Sequence, residues 1–264
     1  MAIPTALKDA LPLPARRALK WAGYAALDIV APVTAPRIPP RRHTSIGGGD
    51  FAAIGEAFFH HLVEAGLRPD HCVLDVGCGQ GRMARPLVPF LTSGRYEGFD
   101  VDLAAVQWCR DNYADVGNFT FTHLNVFNRR YNPVGAEGRT TFPFADGLFD
   151  AAIVTSVFTH MFETRTVNYL EELARTLEPG GFALVTAFLK ADGPGALGFH
   201  HVLDDHSWTT TPDLPEAAVA FDELWFRERI ADAGLQIESL RRGTCWEGGT
   251  GNVQDILVLR KPEA

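Results

Sequence analysis

The amino-acid sequence predicts an α/β protein: a mainly parallel sheet with helices on both faces, an antiparallel last strand and an N-terminal helical extension. Three observations carry this expectation. Short apolar runs alternate with helical stretches from His71 onward. The last two runs are joined only by the glycine-rich segment Gly243 to Gly251, too short for a crossover helix, so they pair as a hairpin. With 46% hydrophobic and 21% charged residues over 264 positions, the chain has ordinary globular usage and can bury a full core.

The elements follow in order. Residues 1–46 form an arm: Pro14 opens a helix in which Leu19, Ala22, Ala26 and Val30 recur at helical spacing. Pro32, Pro36, Pro39 and Pro40 then impose a stiff, extended connector. Residues 47–264 form the main domain. Gly47, Gly48 and Gly49 make a turn or hinge, Asp50 caps a helix from Phe51 to Ala65, and Gly66 sits where a C-cap glycine belongs. The expected strands are Cys72–Val76, Arg95–Phe99, Phe119–Leu124, Phe149–Thr155, Gly181–Phe188, Gln236–Leu240 and Val253–Arg260, seven in all. The expected helices are Arg82–Leu91, Leu103–Tyr113, Thr166–Leu177 and Glu216–Ala233. Two connections are long, Phe127–Thr141 and Lys190–Pro215, and residues 190–219 read as a lid or substrate-binding insertion.

Charge and composition exclude several classes. The net charge of −8 argues against a nucleic-acid partner. It divides into +5 over residues 1–49 and −13 over the remainder, a basic arm on an acidic body. No apolar run approaches the roughly 20 residues of a membrane-spanning helix, so integral membrane contact is not expected. Pro4, Pro12 and Pro14 break any secretory signal. The scattered Cys72, Cys78, Cys109 and Cys245 read as reduced thiols of a cytoplasmic protein rather than a disulfide framework or zinc site. On a helical wheel Lys20 falls beside Leu27 and Leu13, mixing the faces of the arm helix, so docking on a membrane surface, which needs segregated basic and apolar faces, is not expected. The charge contrast favours the arm lying on its own body, as a lid over an acceptor cleft, or on a partner subunit in a homodimer.

The chemistry concentrates after the first strand. Val73-Leu74-Asp75-Val76-Gly77-Cys78-Gly79-Gln80-Gly81-Arg82 turns from a buried strand through glycines toward a helix. Glycines let a ligand come against bare backbone. A dinucleotide loop would need G-x-G-x-x-G, but its sixth position here is Arg82. The spacing is G-x-G-x-G with Asp75 two residues ahead, and an acid suits a ligand with cationic ammonium and sulfonium groups better than a pyrophosphate. The plainer reading is a tight strand–helix turn with no ligand. Asp100 ends the next strand, where a carboxylate accepts both hydroxyls of a ribose, while Asp102 reads as a helix cap. Asn125 ends the third strand, either as an adenine-edge reader or as a plain turn residue.

This ordered set, V-L-D-V-G-C-G-x-G-R, G-F-D, F-P-F-x-D-x-x-F-D-A-A-I and L-E-P-G-G, resembles the class I S-adenosylmethionine-dependent methyltransferases from Gly47 to about Lys261. The resemblance implies a Rossmann-like fold, a seven-stranded sheet whose last strand is antiparallel, and S-adenosylmethionine as cofactor. It places Asp75, Gly77, Cys78, Gly79 and Gly81 at the methionine part, Asp100 and Val101 at ribose and adenine, and Asn125 and Val126 at the adenine edge. Family members more often carry Asp where Asn125 stands. Gly48-Gly49-Asp50-Phe51, Ser156 to Met161, and Trp246 before Gln254-Asp255-Ile256 are similar to a bacterial small-molecule subgroup without a common substrate.

The acceptor is expected beyond the carboxyl ends of the strands, at Thr155 to Met161. Thr155 faces the cofactor there. His160 is the candidate base for a hydroxyl acceptor, with a hydrogen-bonded structural role as the alternative. An N-P-P-Y type of tetrad is absent. The segment Gly198 to His206 holds three histidines and two aspartates, but a solvated loop reads better than a metal site, and no metal is assigned. The leading function is methyl transfer to a hydroxyl of a small molecule or glycan. The alternatives are other chemistry on the same cofactor, and a non-catalytic cofactor-binding protein.

Overall fold

Seven of the apolar runs form one sheet in the computed structural model, which describes residues 13–43, 50–129, 131–190, 197–246 and 251–263. The glycine hinge expected at 47–49 and residues 191–196 of the expected lid lie outside the described residues.

The arm helix α1 spans Leu13–Val30. Helix α2, Phe51–Glu64, is capped by Asp50, whose Oδ1 accepts from the Ala53 N–H at 2.9 Å. There follow β1 (Cys72–Val76), α3 (Ala84–Leu87), β2 (Arg95–Asp100), α4 (Leu103–Asn112), β3 (Phe119–His123), β4 (Phe149–Val154), α5 (Glu163–Thr176) and β5 (Leu177–Ala187). Four short strands come next, β6 (Leu189–Lys190), β7 (His201–Asp204), β8 (Ser207–Thr209) and β9 (Val219–Asp222). The chain closes with α6 (Glu223–Asp232), β10 (Gln236–Arg241) and β11 (Asp255–Arg260).

The main sheet runs β10-β11-β5-β4-β1-β2-β3. β1 pairs parallel with β2 and β4, whereas β11 runs antiparallel to both β5 and β10, as the short glycine-rich connection requires. Every residue of β1 is buried, because both faces are covered. Leu74 and Val76 pack on the side of α5 and α6, and Val73 packs on the side of α2 and α4. The order reverses between β1 and β4, which opens a crevice at their carboxyl ends.

Three expectations need correction. The helix expected over Arg82–Leu91 shrinks to α3, because Pro86 and Pro89 lack the N–H that continuation needs. The helix expected from Glu216 begins only at Glu223. Val219, Ala220 and Phe221 are all buried and pair as β9, and Asp222 caps α6 by accepting from the Trp225 N–H at 2.8 Å. The described part of the expected lid loop is not structureless. β6, β9, β8 and β7 form a second sheet, whose Leu189, Val219 and Phe221 join the main core.

The connector sits against the body. Arg37 donates to Asp115 at 2.6 Å and lies over the Tyr113 ring, 5.5 Å from its centre.

Candidate functional site

The crevice is built from the tips of β1, β2 and β4. The loop after β1 is held by the neighbouring strand: the N–H groups of Gly77 and Cys78 both donate to the Phe99 carbonyl, at 2.8 and 3.0 Å. Gly79 then takes φ +51° and donates its N–H to Asp100 Oδ2 at 2.7 Å. A Cβ at Gly79 would meet no atom within 4 Å, so the loop faces open space there. At Gly77 a Cβ would come within 2.6 Å of Val157 Cγ2, so the loop after β4 presses on bare backbone.

Asp75 is buried beneath this loop. Its Oδ2 accepts from the Tyr96 hydroxyl at 2.6 Å, while its Oδ1 is buried with no hydrogen-bond partner among the described residues. Burial pushes the carboxyl up to about 7, against the pull of the Tyr96 hydroxyl. Gly98 stands opposite Asp75 in the sheet, and a Cβ there would strike the Tyr96 ring and Cys78. The absence of that side chain leaves room for the Tyr96–Asp75 contact.

Asp100 does more than end a strand. Besides Gly79, it takes the Asp102 N–H on Oδ1 at 2.8 Å, so one carboxylate ties together the β1 and β2 loops. Burial raises its pKa, opposed by those two N–H donors. Asp102 caps α4 as expected, accepting from the N–H groups of Ala104 and Ala105. Cys78 and Cys109 lie together under the loop, and Cys109 Sγ donates to the Gly79 carbonyl at 3.3 Å. The Cys78 thiol is raised by its hydrogen bond with Cys109 and by burial. Tyr113 donates its hydroxyl to the Gly81 carbonyl at 2.9 Å.

The adenine-edge candidates are occupied within the chain. Asn125 Oδ1 accepts from Asn132 Nδ2 at 3.1 Å, and the Val126 N–H donates to the Leu124 carbonyl at 2.8 Å. The cause is the long connection after β3, which folds back so that Asn125 and Val126 fasten its base. The Val101 carbonyl accepts from His123 Nε2 at 3.2 Å.

Thr155 leaves β4, and Ser156 follows at φ +58°, its N–H donating to Thr186 Oγ1. Gln254 bridges the two hydroxyls: its Oε1 accepts from Thr186 at 2.5 Å, and its Nε2 donates to Ser156 at 3.0 Å. His160 ends a single 3-10 turn, Phe158–His160. Its Nδ1 lies 2.7 Å from the Glu216 carbonyl, and because a carbonyl only accepts, Nδ1 carries the proton. Tyr131 meets the His160 ring edge-to-face at 5.8 Å.

Sequence reasoning missed Tyr96, Tyr131 and Thr186, and named Ser156 and Gln254 only as features of the subgroup, without joining them. Tyr96 had a signal, an aromatic hydroxyl one strand over from a buried acid. Tyr131 had none. The histidine-rich stretch is a hairpin, with His201 on β7 and His206 stacked on Trp225 at 5.9 Å. Among the described residues no three His, Cys, Asp or Glu side chains form a group that could hold a metal.

The residues fit S-adenosylmethionine. An unpartnered buried carboxylate oxygen suits its ammonium group, the open face of Gly79 leaves room for its methionine part, and the Asp100 carboxylate at the tip of β2 is of the kind that accepts from ribose hydroxyls. A switch-point crevice with an acid beneath a glycine loop, on a sheet whose seventh strand is reversed, defines the class I methyltransferase frame. Residues 74–185 match the family model described as a methyltransferase domain. It is similar to a fatty-acid O-methyltransferase of Mycolicibacterium smegmatis, 31% identical over 43% of this chain and 36% of the relative. It is also similar to a ubiquinone/menaquinone biosynthesis C-methyltransferase of Hydrogenovibrio crunogenus, 31% identical over 51% of this chain and 49% of the relative. The chain thus spans about half or less of the length of these two relatives. In fold it matches the Burkholderia thailandensis 1,6-didemethyltoxoflavin-N1-methyltransferase, solved with S-adenosylhomocysteine. The TM-score is 0.54 at 16% identity, covering 100% of this chain and 94% of that one.

Proposed function

We propose that the protein transfers a methyl group from S-adenosylmethionine to a hydroxyl of a small-molecule or glycan acceptor. The observation that carries the hydroxyl reading is the imidazole of His160, fixed in one tautomer by the Glu216 carbonyl. Bound S-adenosylmethionine supplies an electrophilic methyl on a sulfonium, open to in-line displacement by the acceptor oxygen. His160 stands one 3-10 turn from Val157, the residue that presses on Gly77, and its N–H donates to the Val157 carbonyl at 3.0 Å. With Nδ1 protonated, Nε2 is the basic nitrogen, and it takes the hydroxyl proton as the oxygen–methyl bond forms. Asp75 meets the ammonium group and Asp100 the ribose, while Asn125 and Val126, whose acceptor and N–H are taken by Asn132 and Leu124, are left out of the adenine edge. The four cysteines are buried and unbridged, which supports a reducing, cytoplasmic setting. The relatives named above act at oxygen, carbon and nitrogen, so the acceptor atom rests on His160 alone.

The test is a metabolite and glycan screen with methyl-labelled cofactor, followed by His160→Gln on the acceptor found. We expect kcat to fall about 10²–10⁴-fold and the low-pH limb of the pH–rate profile to disappear. An unchanged profile removes His160 from the chemistry. Label transferred to carbon refutes O-methylation.

A further inference from the structure

Helix α1 holds an apolar side away from the body. Ile29 and Val30 are 84% and 80% exposed, and Leu19, Trp21 and Leu27 are also exposed. The opposite side is clamped. Asp28 is buried, accepts from the N–H groups of Arg41 and Arg42 at 2.9 and 3.2 Å, and pairs with the Arg42 guanidinium at 3.3 Å. The connector that supplies those groups is itself fixed to the domain through Arg37 and Asp115. At about 100° per residue, Leu19, Ala22, Ala26, Ile29 and Val30 share one arc, opposite Asp28. Lys20 and Leu27 fall together roughly 60–80° beyond that arc, on the flank between it and Asp28, and Trp21 falls about 20° from Asp28; the Lys20 ammonium lies 5.7 Å from the centre of the Tyr24 ring. From that flank the long Lys20 stem can reach back to place its charge in the headgroups beside an arc laid on lipid. The mixed faces of the wheel count against surface docking, and the exposed Leu19, Ile29 and Val30 opposite a clamped Asp28 count for it.

We propose that α1 docks on an anionic lipid surface, lying in its plane. No helix of the described residues is long and apolar enough to cross a membrane. Charge decides the occupant. Residues 1–49 carry +5 and the rest of the chain −13, so an anionic bilayer attracts the arm, repels the body and admits one orientation. Two copies joined through α1 would bring two basic arms together. The other exposed large apolar side chains, such as Val134, Phe162, Val202 and Leu224, sit on separate elements and offer no extended counterpart. The docking is independent of which acceptor is methylated.

Flotation of the full chain tests it, with mixed phosphatidylglycerol–phosphatidylcholine vesicles against phosphatidylcholine alone. We expect binding to the anionic vesicles only, lost as salt rises. Because Ile29 and Val30 are exposed, Ile29→Ser with Val30→Ser leaves cofactor binding intact and weakens vesicle binding roughly ten-fold or more. Lys20→Ala weakens it about five-fold. Failure of the intact protein to bind, or undiminished binding by the double variant, overturns the proposal. So does a solution dimer that the double variant dissociates without any vesicle binding, which would assign the face to a second copy.

Discussion

Asp75→Asn isolates the buried acid of the cofactor loop. In the folded chain burial raises the Asp75 carboxyl from an ordinary 3.8 to about 7. The folded state therefore keeps a proton that the unfolded state has released, and stability falls as pH rises between those two values. At 1.36 kcal/mol per pKa unit, the full difference is worth about 4 kcal/mol, present below pH 4 and lost by pH 7 to 8. Asparagine preserves the shape and can still accept from the Tyr96 hydroxyl, but it cannot ionise. Its amide hydrogens face the place where Oδ1 finds no partner, at a cost of about 1–3 kcal/mol that does not depend on pH. Urea unfolding of cofactor-free protein from pH 5 to 8 should show the wild type losing stability more steeply than the variant, which keeps the other raised carboxyls such as Asp100, with the curves converging or crossing as pH rises. Cofactor affinity should fall in the variant by about 1.5–3 kcal/mol, because the ammonium loses an ionised partner. Parallel stability curves across that range would refute the buried, raised carboxyl.

Gly79→Val should abolish cofactor binding by calorimetry while the fold survives at about 1–2 kcal/mol of backbone strain, since its side chain enters open space at φ +51°. Undiminished binding would remove this loop from the site. Asp100→Ala frees the N–H groups of Gly79 and Asp102 as well as the ribose, and should weaken the cofactor by roughly 1.5–3 kcal/mol. An unchanged Kd in a folded variant would shift the ribose to Asp102. Turnover should persist after exhaustive EDTA treatment, and loss restored by magnesium or zinc would make the enzyme metal-dependent.

Periodicity and spacing made much of this protein legible. The strand runs, the reversed last strand, the Asp50 and Asp102 caps and the Asp75–Gly81 loop are local features, encoded within a few residues or by the length of a connection. Expectation failed where tertiary burial overrode local pattern. Val219 to Phe221 fit a helix start as readily as a strand, and pairing with β8 and with β6 decided the matter. Arg82 to Leu91 kept a helical pattern that two prolines cut short.

The site divides the same way. The sequence by itself determined which acids and glycines flank the crevice. Only the tertiary structure decided their partners, because each contact joins residues far apart in the chain: Tyr96 to Asp75 across 21 positions, Glu216 to His160 across 56, and Gln254 to Ser156 across 98. It also decided the electrostatics. Asp75 looks like any loop-edge acid in sequence, and its raised carboxyl exists only because the sheet buries it and leaves one oxygen without a donor. The arm shows this most plainly. Its charges and apolar residues can be read from the chain, but which side faces outward depends on Asp28 being clamped by a connector more than ten residues away.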